Sequence, residues 1–212
     1  MQKLISIIMV NIDVFCRFFL PIYIVAYMVI LYVVNVRSFK KKYDFDPRVI
    51  TKNDKLMYFY QRCRDLTFLF ILANIFFYSF LHELYYLFVP IKYLDVEILK
   101  LAGIFILLGS GVLTRVSQIQ LKGSYRIGID KSETKTDLVT DGIYSRSRNP
   151  IVLGMILSSL GLFLVTPNLI TFVILVLAYV NCTARIILEE EHLYKLHGEA
   201  YLSYQKKTRR WF

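Results

Sequence analysis

At 212 residues, the chain is 56% hydrophobic and 16% aromatic and carries a formal net charge of +10. Soluble domains run about 45–50% apolar, so the excess implies long apolar segments rather than one soluble core. The basic residues stand in short stretches beside those segments, as positive-inside loops do, which argues against a nucleic-acid surface. Cys16, Cys63 and Cys182 fall at no metal or redox spacing, so neither a metal site nor a disulfide framework is expected. No small-residue cleavage site follows the apolar N-terminal stretch, so a removed signal peptide is not expected.

A helix crossing the hydrocarbon core needs about 20 apolar residues. The first such run is 18–36, with Pro21 near its start, where a helix tolerates proline; residues 4–10 either extend it or lie in the interface. Asp13 and Arg17, four apart, are expected to neutralise each other on one helix face. Residues 37–64 form a basic polar stretch that includes Lys40, Lys41, Lys42, Arg48, Lys52, Arg62 and Arg64. The second run, 66–80, continues through His82 and Glu83 into Tyr85, Tyr86, Leu87 and Phe88, an expected interfacial anchor. The third, 98–116, carries Gly103, Gly109 and Gly111, which permit close helix approach. A polar segment follows, 117–141, in which Arg126 to Asp130 is expected as an ordered loop or strand-like hairpin. The fourth and fifth runs, 151–165 and 169–184, are joined by Thr166, Pro167 and Asn168, a tight turn that makes them antiparallel neighbours.

The expected fold is therefore all-α and polytopic, with about five transmembrane helices in one membrane domain over 1–212. Residues 1–116 hold the N-terminal helices and the basic loop 37–65. Segments 37–65, 117–149 and 197–212 are rich in Lys and Arg, whereas 81–97 has few and 166–168 has none. This asymmetry places the N-terminus outside and the C-terminus, with its polar clusters, in the cytoplasm.

Those clusters bracket the last hairpin at one end. The first reads Gly142, Ile143, Tyr144, Ser145, Arg146, Ser147, Arg148, Asn149, Pro150. Proline suits the first turn of a helix, and an arginine just before it can fork onto a carboxylate beside the positive helix end. Arg146 is read as an ordinary positive-inside flank. The second cluster places Asn181, Arg185 and Glu189 in one helical stripe, with Glu190 about a quarter-turn away. Charges at the mouth of a membrane helix are costly unless paired or functional; a solvated extension with an Arg185–Glu189 bridge is the plainer alternative. Gly198, Tyr201 and Tyr204 follow.

In this order the four parts resemble the isoprenylcysteine carboxyl methyltransferase family, with its phospholipid N-methyltransferase relatives. These are membrane enzymes that use S-adenosylmethionine. The family pattern is Arg-His-Pro-x-Tyr-x-Gly, a hairpin, Arg-x-x-x-Glu-Glu and Gly-x-x-Tyr-x-x-Tyr, and the resemblance covers residues 142–204. It implies that 117–212 is a methyltransferase-like half whose cofactor pocket includes Tyr144, Arg148, Asn149, Pro150, Gly154, Glu189, Glu190, Tyr201 and Tyr204. Arg185 and Arg148 are the implied catalytic residues. Two positions depart: Asn149 replaces His and Val152 replaces Tyr. Asparagine still offers a donor and an acceptor.

The implied function is S-adenosylmethionine-dependent methyl transfer to a lipidic or membrane-embedded acceptor, with the bilayer and a prenylated or other lipidic molecule as partners. A carboxylate acceptor, as on an isoprenylcysteine, is ionised near neutral pH and needs no base, whereas a phospholipid amine must first lose a proton. His192 and His197 are read as interfacial or capping groups, which favours the carboxylate. A membrane sterol-type reductase using NADPH has a similar C-terminal hairpin, but the Arg-x-x-x-Glu-Glu run argues against it. A non-catalytic membrane protein whose basic loops bind anionic lipid is a further alternative.

Overall fold

The computed structural model describes residues 2–44, 46–48, 55–127 and 136–211. They form helices and connecting turns with no strand. α1 (Gln2–Met28) passes through six residues of π-helix, Val29–Val34, directly into α2 (Asn35–Tyr43). The first run is thus one long helix that takes in residues 4–10, and α2 occupies the start of the expected basic loop. Asp44, in the left-handed region at φ 54°, ends it.

There follow α3 (Lys55–Phe80), α4 (Glu97–Gln120), α5 (Pro150–Val165), α6 (Leu169–His197) and α7 (Glu199–Lys207). Tyr58–Phe80, α4 and α6 are long and apolar enough to cross a membrane, and α5 is a shorter apolar helix. Ile98 and Phe105 on α4 are 75% and 72% exposed, a surface that suits lipid and not water. Gly128, Ile129 and Asp130, in the expected hairpin, and Lys52, in the basic loop, lie outside the described residues.

Contacts set the direction of each helix. Tyr23 Oη donates to the Leu107 carbonyl (2.7 Å) and Asn35 Nδ2 to Gln118 Oε1 (2.8 Å), so α1 and α4 run parallel. α4 and α5 are antiparallel and nearly touch. A Cβ on Gly103 would lie 2.8 Å from the Gly161 carbonyl oxygen, and one on Gly154 would lie 2.2 Å from Thr114 Oγ1. These small residues let the two backbones close on each other. Gly109 has nothing within 4 Å of a built Cβ, so the close approach rests on Gly103 and not on it. The helices therefore alternate, and residues 35–44, 46–48, 117–127, 136–150 and 185–211, which contain most of the basic charge of the described residues, meet at one end.

The opposite end is closed by a buried polar cluster. Asn168 caps α6 by accepting from the Thr171 amide (2.8 Å), while its Nδ2 donates to Asn74 Oδ1 (2.8 Å) and Tyr85 Oη (2.8 Å). Asn74, Thr166, Asn168 and Thr171 are fully buried, and mutual hydrogen bonding is what makes that burial tolerable. Tyr85 belongs to this cluster, so the aromatic patch divides: Tyr85 points inward, while Tyr86 and Leu87 stay exposed as an interfacial anchor would.

Asp13 does not pair with Arg17. It reaches α4, where the buried Lys100 lies between Asp13 and Asp95, the latter at 2.5 Å. The interhelical bridge gives the buried ammonium a second carboxylate beside Asp95, which a pair within α1 would take away.

Candidate active site

Three local structures assemble a cleft at the basic end. The first is the turn at Gly142, whose φ of +59° is one that side-chain-bearing residues rarely adopt. A Cβ there would also lie 2.6 Å from Gln120 Oε1, the atom that accepts from the Ile143 amide (2.8 Å). This fixes Tyr144, buried, with its hydroxyl on the Ser117 carbonyl (3.3 Å).

The second is the start of α5. Pro150 takes the first helical position, and Asn149 precedes it with no side-chain cap bond. Asn149 is 8% exposed, and its Nδ2 is buried without a hydrogen-bond partner. An unsatisfied buried donor costs about 1–3 kcal/mol, so a donor left open beside a cleft is suited to a ligand acceptor.

The third is the far end of α6. Arg185 grips Glu189 with two bonds, Nη2 to Oε1 at 3.2 Å and Nε to Oε2 at 3.3 Å. The next residue, Glu190, points to another side and accepts from Arg148 Nη2 (2.9 Å) and Arg210 Nη2 (2.7 Å). Arg148 Nη1 also donates to the carbonyls of Thr208 (2.5 Å) and Gln205 (3.2 Å). The 208–211 tail is thereby strapped to the start of α5, with the Arg148 amide on the Arg209 carbonyl (3.0 Å) and Trp211 packed on Val152, Cys182 and Ile186.

Gly198 joins α6 to α7 at φ +52° with open space around it, so backbone conformation and not crowding calls for glycine there. The turn brings Tyr204 back to donate its hydroxyl to the Tyr144 carbonyl (2.6 Å). Burial pushes the phenols of Tyr201 and Tyr204 up to about 12, and holds Tyr144 well above its ordinary value. All three stay protonated near neutral pH.

The cleft, about 140 Å³ in volume, is lined by Tyr144, Arg148, Asn149, Pro150, Arg185, Glu189 and Tyr204 among the residues singled out by sequence. Three others lie off it. Gly154 faces Thr114 in the α4–α5 contact, Glu190 holds the arginine pair, and Tyr201 is buried with its ring 6.1 Å from that of Tyr204. Arg146 is exposed. The walls also include Leu121, Ser124, Arg126, residues 136–139, Val152, His192 and Leu193. His192, expected at the interface, is thus beside the cleft. The tail residues Thr208 to Trp211 had no motif to reveal them, and their two arginines read only as positive-inside charge.

Residues 99–200 match the family model for phospholipid methyltransferases. No curated protein sequence matches the chain. Among solved structures, the chain resembles the eukaryotic intramembrane Ras methyltransferase, isoprenylcysteine carboxyl methyltransferase, with a TM-score of 0.57 and 17% identity, covering 98% of this chain and 83% of that one. At that identity the likeness is one of fold. The stretch that supplies most of the cleft carries the phospholipid methyltransferase pattern within this membrane fold, and together they support a membrane methyltransferase.

Proposed function

We propose that the chain transfers a methyl group from S-adenosylmethionine to a lipidic or membrane-embedded acceptor, and that the cleft at the basic end holds the cofactor. The observation that carries this is the Asn149 amide, an unpaired donor in a wall that also offers an arginine–glutamate pair and apolar side chains. The residues fit the group: Glu189 suits its ammonium, Arg185 and the Asn149 donor its carboxylate, and Leu121, Ile151, Val152 and Leu193 its adenine. When bound, the cofactor supplies an electrophilic methyl on a sulfonium. The cleft is smaller than the roughly 300–1,000 Å³ of pockets that enclose drug-sized ligands, so part of a nucleoside would lie outside it.

The protein's part in such a transfer is alignment and exclusion of water. Arg148 and Glu190 act on the cleft indirectly, because their bonds fix the tail and the start of α5. We infer five membrane helices with the cleft on the cytoplasmic face, from the clustering of basic segments at that end.

For the acceptor, a carboxylate remains the first reading, since a carboxylate is already ionised near neutral pH and needs no base. A phospholipid amine is the second reading. Its support is His192 in the lining, a group able to take a proton near neutral pH, together with the match to phospholipid methyltransferases. The product decides between them. Membranes incubated with methyl-labelled cofactor are extracted and treated with alkali: esters release labelled methanol, whereas N-methyl groups hold their label. Alkali-labile label is expected, and base-stable label in the lipid fraction would replace the carboxylate with an amine.

A further inference from the structure

α2 continues the first long helix and lies level with the end of α4, where Asn35 meets Gln118 and Arg115. Its faces differ sharply. Phe39 is buried with its ring 4.9 Å from that of Tyr125, whereas Arg37, Lys40, Lys41 and Lys42 are exposed. Lys122, also exposed, extends the charge: its neighbour Gly123 lies against Tyr43, with a built Cβ 3.5 Å from Tyr43 Cδ1. Among the described residues, none of these five cations is in an ion pair. Asp44 and Asp46 are the adjacent acids, and Asp46 is engaged by Arg48 at 2.6 Å.

The same element braces the cleft. Tyr125, against which Phe39 packs, stands between Ser124 and Arg126, both in the cleft wall. Just beyond α2, the Pro47 carbonyl accepts from the Ile127 amide (2.7 Å), and Arg48 and Ile127 form a parallel bridge.

We propose that the exposed cations of α2 dock on anionic lipid headgroups at the membrane surface and that this docking steadies the 124–127 wall of the cleft. A bilayer is the fitting partner. The cluster follows a membrane helix directly and is made of exposed, flexible lysines that track a diffuse charge. The docking stands on α2 alone, and only its consequence for cofactor binding rests on the function proposed above.

The test uses the full chain in nanodiscs of phosphatidylcholine, alone or mixed with phosphatidylserine, with no cofactor present. Hydrogen exchange at the Ile127 amide and across 124–127 is followed by mass spectrometry. Exchange is expected to slow by about threefold or more when phosphatidylserine is present, and the effect to fade as salt rises. The combined variant Lys40→Gln, Lys41→Gln, Lys42→Gln should lose this response. Phe39→Ala should still cross-link to photoactivatable phosphatidylserine yet lose the response at 124–127, which separates docking from coupling. Inorganic phosphate added to phosphatidylcholine discs should change nothing. Equal exchange of the wild type in both lipids would overturn the coupling. Absent or equal cross-linking of α2 to phosphatidylserine and phosphatidylcholine would overturn the docking, and a full response to phosphate would replace the bilayer with a free-anion site. If the triple variant fails to insert, the wild-type comparison and Phe39→Ala decide. With no cofactor in the experiment, its failure leaves the methyltransferase reading untouched.

Discussion

Glu190 takes two arginines onto one carboxylate, and its side chain is only 10% exposed. Removing it leaves Arg148, 11% exposed, without its counter-charge. Breaking a buried pair from one side costs about 3–5 kcal/mol, so Glu190→Ala should lower thermal stability in detergent by an amount of that order. Arg210 is 42% exposed, and an exposed pair is worth about 0–1 kcal/mol. Arg210→Ala should therefore move the melting transition far less, and equal losses would show that the strap works differently. The sequence motif places Glu189 and Glu190 together at one site, yet adjacent helical residues diverge by about 100°. That angle sends Glu189 to the cleft and Glu190 to the tail. Spacing made the Arg185–Glu189 stripe readable, while the partners of Glu190 come from segments far apart in sequence that no spacing reveals.

Tyr201 and Tyr204, raised to about 12 by burial, carry no charge change near neutrality. A carboxylate acceptor, ionised throughout, should give a rate that is flat between about pH 6 and 8. A rate that climbs steeply over that interval and flattens in His192→Gln would assign the proton transfer to His192 and the acceptor to an amine.

Between elements, the α4–α5 contact is the tightest joint and positions the start of α5. A side chain at Gly154 meets Thr114 Oγ1 at 2.2 Å and the Ser110 carbonyl at 3.2 Å, so something must shift. Gly154→Val should cost about 1–3 kcal/mol by overpacking and also disturb the cleft through Asn149 and Pro150. Gly109→Val, in open space, serves as the control and should leave thermal stability nearly unchanged. The apolar runs and the turn at 166–168 made the hairpin legible, because hydrophobic length and a proline break are local signals. The partner of Gly103 was not legible, nor was Lys100 as the partner of Asp13, because these depend on which helices become neighbours. The tail stayed hidden for the same reason: its role lies in carbonyl groups that accept from Arg148, and backbone acceptors carry no sequence signature.

Across the whole molecule, the alternation of helices places the basic segments at one end and 82–96 and 166–168 at the other. In a Cys63→Ser background, single cysteines at the exposed positions Lys122 and Lys206 should label only from the cytoplasmic side, and one at Tyr93, 80% exposed, only from outside. Asn168 is unsuitable as a probe because it is fully buried in the polar cluster. Labelling of Lys122 from outside would invert the orientation. The gathering of the basic segments at one end was readable at the outset from the charge asymmetry of the loops, since it follows from composition and not from packing.

Cofactor binding in the cleft is read by a calorimetric titration of the purified full chain with S-adenosylmethionine and, in parallel, with NADPH. Saturable binding of S-adenosylmethionine and none of NADPH is expected. Asn149→Ala and Glu189→Gln each remove a contact from the wall, and loss of a charge-assisted hydrogen bond costs about 1.5–3 kcal/mol, roughly ten- to hundredfold in affinity. Saturable binding of NADPH alone, or S-adenosylmethionine binding that both folded variants leave unchanged, would contradict the assignment.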